Sequence, residues 1–182
     1  GGAAAAGIGG SLRFYSGESK SGSSGSLHFA TSGAEATGDS GQVTITSGNT
    51  NHGRTGSVVF SSGASQHGES GDVSVASGDG HQAGQLHLRA GQSTGPSIPG
   101  GDILVATGGA LDGSSGRVHV QTAPGGQSQH SGGIQLATGD SGMRTGEILL
   151  QTGSSTNGEA AGIDVRVGMS GSGTGGAITM LA

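Results

Sequence analysis

The sequence has no cysteine and no tryptophan, and it has only three prolines among 182 residues. The missing thiols exclude disulfide bonds, thiolate metal sites and cysteine catalysis. No apolar run approaches the roughly 20 residues that a membrane-spanning helix needs. The seven basic residues are scattered singly, which argues against the dense positive surface of a nucleic-acid-binding protein.

Small residues dominate what is present. Glycine, serine and threonine together account for 86 of the 182 residues, while aromatic residues make up 2%. Such a composition is typical of flexible, low-complexity chains, because small polar residues bury too little apolar surface to offset backbone ordering. The regular spacing of the apolar residues argues against a simple linker, which has no need of it.

A Gly-x-Φ-x-Φ unit, where Φ is an apolar residue, occurs twelve times, once with Ala161 in place of the glycine, and its spacing varies between 13 and 17 residues around a mean of about 15. We number each unit from its first apolar residue, position 0, and call the residues at positions 0 and +2 the apolar pair. Alternation with a period of two predicts half-buried strands, and each run is too short for a helix. The pairs, predicted to form a structural core, are Leu12 and Phe14, Leu27 and Phe29, Val43 and Ile45, Val58 and Phe60, Val73 and Val75, Leu86 and Leu88, Ile103 and Val105, Val118 and Val120, Ile134 and Leu136, Ile148 and Leu150, Ile163 and Val165, and Ile178 and Met180.

Glycines recur at fixed offsets between the apolar pairs, most often as Gly-x4-Gly-x2-Gly. Only glycine adopts positive φ angles without a steric penalty, so the pattern predicts repeated tight corners. The predicted turn glycines are Gly17, Gly22, Gly25, Gly33, Gly38, Gly41, Gly48, Gly53, Gly56, Gly63, Gly68, Gly71, Gly108, Gly113 and Gly116.

The repeat predicts an all-β fold, a parallel β-solenoid (β-helix) of twelve strand-loop units in a single domain over residues 1–182. Residues 1–9 would lead into the repeats at 10–182. A meander is less favoured because few Asn-Gly or Asp-Gly hairpin turns occur. The 13-residue gap after Val73 is followed by a 17-residue gap after Leu86, which favours two strands per turn of about thirty residues. One strand per turn of about fifteen residues remains the alternative.

The ends of the repeat suggest assembly. No capping element is evident, and Ile178 would be followed in register by Leu12 of another copy. We therefore expect the repeat to continue in a longer chain or by head-to-tail stacking of copies.

The sequence contains no phosphate loop, zinc-binding helix or calcium loop, and it predicts no enzyme, no metal and no cofactor. Asp72 and Asp102 precede strands thirty residues apart, so a thirty-residue turn would stack them as a catalytic pair. His87 and His119 would stack in the same way, as a zinc or pH-sensing pair, and His28 also points outward. A solvated polar face is the simpler interpretation of both sets.

Two further outward-facing features bear on binding. Val59, Leu104 and Leu149 lie between the residues of apolar pairs and would mark lateral contacts between solenoids. Hydroxyl residues follow most pairs and are candidates for corner hydrogen bonds, ladders or sugar attachment, although no N-glycosylation motif occurs. These residues are Ser47, Ser62, Ser77, Thr107, Thr122, Thr138 and Thr152.

The stretch Ser70-Gly71-Asp72-Val73-Ser74-Val75-Ala76-Ser77-Gly78 resembles Gly/Ser-rich tandem repeats of extracellular β-solenoid fibre proteins, such as flagellar-hair or cell-surface filaments of algae and other protists. The resemblance implies an extracellular or cell-surface structural protein. Together with the ends of the repeat and the composition, it predicts further copies of the chain and glycans as partners, with no nucleic acid and no membrane span. The alternative is a repetitive flat face that binds ice or polysaccharide.

Overall fold

The computed structural model describes residues 2, 8–35 and 37–181. Over these residues the backbone forms neither an α-helix nor a β-strand. The predicted parallel β-solenoid is therefore wrong, with either one or two strands per turn, because no sheet exists to form its walls. The apolar pairs predicted to fill it, from Leu12 and Phe14 to Ile178 and Met180, pack into no core.

The absence of a core is visible in the accessible surface. No residue in the described part of the chain is buried, and the total accessible surface is 18612 Å². A compact monomer of the same mass exposes only about 7,800 Å². The physical reason lies in the composition, since two apolar side chains in about fifteen residues bury too little surface to offset the ordering entropy of so many glycines.

Close contacts divide the chain into two units. The first, Gly1–Leu88, contains the first six apolar pairs. Within it, the rings of Phe14 and Phe29 meet edge to face, with centroids 5.8 Å apart and an interplanar angle of 79°. These residues occupy position +2 of consecutive units, so neighbouring apolar pairs approach each other there without being enclosed.

The second unit, Arg89–Ala182, contains the other six apolar pairs and the longest loop. In this loop Ala90, Ser93 and Gly95 are half-buried. Ile98 folds back on Gly95 so closely that a Cβ on Gly95 would lie 2.8 Å from its Cδ1 atom. Ser97 has a φ of 59° at the turn that makes this possible.

The predicted turn glycines do not have positive φ angles. Gly173, with a φ of 101°, is the one glycine with positive φ among the described residues, and it is not one of the fifteen predicted turn glycines. Positive φ angles are therefore absent at those fifteen positions, although Gly22, Gly53, Gly68 and Gly113 do lie in bends of the chain. Several of them instead donate hydrogen bonds within the loops or lie against a neighbouring chain segment, as described next.

Candidate functional site

Among the described residues, backbone hydrogen bonds close four of the loops between apolar pairs, each at the same two positions of the repeat. The N–H of Gly25 donates to the carbonyl of Gly17 at 2.9 Å, and the N–H of Gly116 donates to that of Gly108 at 3.0 Å. In both loops the donor is at position −2 of one unit and the acceptor at position +5 of the unit before it. We call the residues joined by this bond, together with their immediate neighbours, the loop base. Because the same two positions pair in each closed loop, the loop base is a repeated structural element.

The two irregular loops close in the same way. Gly84 donates to Gly78 at 3.1 Å across the 13-residue gap, and Gly101 donates to Gly91 at 3.0 Å across the 17-residue gap. In the four closed loops the length variation therefore falls behind the closing bond, and the seven residues from position −2 to position +4 lie outside it. We call these seven residues the apolar segment. The alternation of gap lengths reports loop size and not a two-strand turn.

The lead-in segment has a matching contact. The N–H of Gly10, at position −2 of the first unit, donates to the carbonyl of Gly2 at 3.0 Å. The spacing of eight residues equals that of the Gly17–Gly25 base. The repeated closure thus extends to Gly2, ahead of the predicted start of the repeats.

The loop base is also packed through its side chains. A Cβ atom on Gly25 would lie 3.5 Å from the Cβ of Ser16, and one on Gly56 would lie 3.8 Å from that of Ser47. The partner is at position +4 in each case, which is where the sequence predicted hydroxyl residues at corners. Thr31, at the same position, donates from Oγ1 to the carbonyl of Gly41 at 3.0 Å. A small residue at position −2 allows the two sides of the base to approach.

A hydroxyl group caps the tip of several loops. The N–H of Gly68 donates to Ser65 Oγ at 2.9 Å, and the N–H of Gly22 donates to Ser19 Oγ at 2.9 Å. The hydroxyl is at position +7 and the glycine at position +10, and the same bond recurs at Thr50–Gly53 (3.1 Å) and Ser155–Gly158 (3.0 Å). Sequence reasoning missed this cap, although a Ser or Thr followed three residues later by Gly is a signal that finds it.

The apolar pairs are exposed to a similar degree along the chain. Position 0 is 47–71% exposed and position +2 is 60–90% exposed. Among the described residues, no hydrogen bond between backbone groups joins two apolar segments. The apolar pairs and the backbone polar groups beside them are thus both open to a partner.

The predicted histidine and aspartate pairs find no support. Their stacking required a thirty-residue turn, which the described residues do not form. His119 Nε2 lies 2.8 Å from Gln121 Oε1 in its own segment, and no cluster of three metal-ligating side chains occurs among the described residues. The guanidinium of Arg166 pairs with the carboxylate of Asp164, two residues away, and both side chains are largely exposed to solvent.

No pocket forms in the part of the chain that the structure describes. The described residues also include no helix long and apolar enough to cross a membrane. The candidate site is therefore the repeated surface made by the apolar segments. No protein-family model, curated protein or solved structure matches this chain.

Proposed function

We propose that this protein is a structural, fibre-forming protein that associates with copies of itself through its apolar segments. The main support for this proposal is that the apolar pairs are exposed to solvent in every unit of the repeat. Ile134 and Leu136, for example, are 57% and 71% exposed. Contact between such hydrocarbon side chains and water is unfavourable in free energy, so burial against a partner would stabilise them.

The available surface supports association with more than one copy. The chain exposes 18612 Å², which is roughly 10,000 Å² more than a compact protein of its mass. A stable protein interface buries about 1,600 Å² in total. One chain therefore has enough surface for several such interfaces.

The backbone of the apolar segments favours a partner that offers the same groups. Unpaired N–H and C=O groups along an exposed chain are templates for pairing with another chain. Because every unit repeats the same pattern, a second copy supplies matching apolar and polar groups at each of them. Where different units of identical chains pair, the contact is heterologous, and repeated heterologous contacts generate open filaments.

Charge presents little opposition to this association. The formal net charge is −5 over 182 residues, and charged residues make up 10% of the chain. Repulsion between copies is correspondingly weak. The proposal assigns no catalytic role and puts the fibre outside the cell or at its surface, as the resemblance to extracellular fibre proteins implies.

Concentration-dependent assembly of the purified chain tests the proposal. We expect light scattering and electron microscopy to detect fibres above a threshold concentration. The double variant Ile134→Ser and Leu136→Ser removes one apolar pair and should raise that threshold by about tenfold or more, since each buried aliphatic side chain contributes about 1.5–3 kcal/mol. Gln135→Ser, between the two, is the matched control and should leave the threshold unchanged.

A wild-type chain that stays monomeric at every concentration would contradict the proposal. If such a monomer also lowered the freezing point in a thermal-hysteresis assay or bound polysaccharide, the alternative of a repetitive binding module would replace it.

A further inference from the structure

We propose that the closed loops allow the chain to lengthen under tension. Force applied to the two ends of the chain opens the loops one at a time, and each opened loop adds its residues to the end-to-end length. This property belongs to a single chain and goes beyond the proposed fibre function. Three properties of the loops support it: the weak contacts at each loop base, the number of residues in each loop and the rate at which an opened loop closes.

The loop bases are held by few and weak contacts. The Gly17–Gly25 base consists of one backbone hydrogen bond of 2.9 Å and the contact with Ser16, and all of these residues are exposed to water. Water replaces an exposed hydrogen bond at little net cost. Pulling the two sides of such a base apart therefore opens it before any covalent part of the chain is strained.

The released length differs between loops in a way the structure specifies. The closing bonds span six residues at Gly78–Gly84, eight at Gly17–Gly25 and ten at Gly91–Gly101. A hydrogen-bonded pair holds its Cα atoms about 5.5 Å apart, whereas a stretched chain covers about 3.4 Å per residue. Opening these loops should release about 15, 22 and 29 Å respectively.

The loops are also built to close again. Ser19 caps Gly22 inside the Gly17–Gly25 loop, a contact between residues three apart that should re-form readily when the tension is released. Loops of about ten residues close in roughly 10–100 ns. Extension under tension should therefore be reversible on any slower timescale.

A cysteine lock at one base tests the proposal on a single tethered chain. In the double variant Ser16→Cys and Gly25→Cys, the two Cβ atoms would lie 3.5 Å apart, within the range of disulfides. The natural sequence has no cysteine, so the engineered pair is unambiguous. The matched control is Ser62→Cys and Gly71→Cys, at the same two positions, because a Cβ on Gly71 meets nothing within 4 Å.

Force-extension curves of the oxidised and reduced chains distinguish the outcomes. If the loop is closed at rest, both forms of the Ser16→Cys and Gly25→Cys chain have equal extension at low force, and the reduced form becomes longer by about 25 Å at high force. The oxidised control should be shorter than its reduced form at all forces.

An oxidised Ser16→Cys and Gly25→Cys chain that is shorter by the same fraction at low and high force would overturn the proposal, as would a pair that does not oxidise. Both results are obtained on isolated chains, so they are independent of whether fibres form.

Discussion

Single residues at fixed positions of the repeat determine the local structure. At position +7 a hydroxyl caps the loop tip, as Ser65 does for Gly68, whereas Ala110 occupies that position in another loop and lacks the acceptor. A Cβ on Gly113 would still lie 3.6 Å from the Cβ of Ala110, so the two chain segments approach each other without the hydrogen bond. The hydroxyl therefore adds to a turn that the backbone already makes.

Ser65→Ala tests this addition. The variant removes the acceptor of the Gly68 N–H, and an exposed hydrogen bond contributes about 0.5 kcal/mol, so exchange of that amide should become two- to threefold faster. The measurement is amide hydrogen exchange by NMR. The reciprocal control, Ala110→Ser, should slow exchange at Gly113 by a similar factor.

Unchanged exchange at both glycines would show that the 2.9 Å contact at Ser65 contributes nothing in solution.

At the scale of the repeated element, the loops that close share the same base although they differ in length. The same positions pair across gaps of 13, 15 and 17 residues, so insertions are absorbed between the two sides of the base. Position −2 is glycine in every unit except the one that begins with Ala161. A side chain there must fit against whatever stands at position +4 of the preceding unit.

Gly176→Ala tests that fit where it is tightest. A Cβ on Gly176 would lie 2.6 Å from Cγ1 of Val167, and the branched valine is stiff at χ1, so one side of the base must shift at a cost of about 1 kcal/mol. NMR chemical shifts around both residues should change, and the added variant Val167→Ala should restore them. Gly71→Ala, where nothing lies within 4 Å, serves as the control.

If Gly176→Ala disturbs its surroundings no more than Gly71→Ala does, the close approach of Val167 to Gly176 is absent in solution.

For the whole molecule, the decisive property is that the described residues enclose no core. Cooperative unfolding of a small protein reflects the simultaneous loss of packed contacts. A chain held by local loop contacts lacks such contacts, so its loops should open independently on heating. If the chain assembles as proposed, we expect cooperative stability at this scale to come from contacts between copies.

Calorimetry of the dilute, unassembled chain checks this expectation. A globular protein of this length absorbs about 130 kcal/mol in one sharp transition near 60 °C, whereas we expect a gradual change without a peak. Fibres should show a transition that the dilute chain lacks. A sharp peak in the dilute sample would mean that the single chain has a packed core after all.

Much of the local organisation follows from the sequence alone. Twelve units, the positions of the apolar pairs and the placement of the loops are all visible in the spacing of residues such as Val118, Val120 and Gly116. Contacts within a loop join residues only three to ten apart, as in Ser65–Gly68 or Gly91–Gly101. Such contacts can be predicted from nearby residues alone, because closing a short loop costs little conformational entropy.

Only the tertiary structure decided whether the apolar segments pair within the chain. The Φ-x-Φ pattern predicts which side chains share a face of an extended segment. It does not determine whether segments pair, because the hydrogen bonds of a solenoid join residues that are distant in sequence. Whether those bonds form depends on a balance between buried apolar area and the ordering entropy of a glycine-rich backbone. In the described residues entropy prevails, so Val118 and Val120 remain more than half exposed and the predicted solenoid is absent.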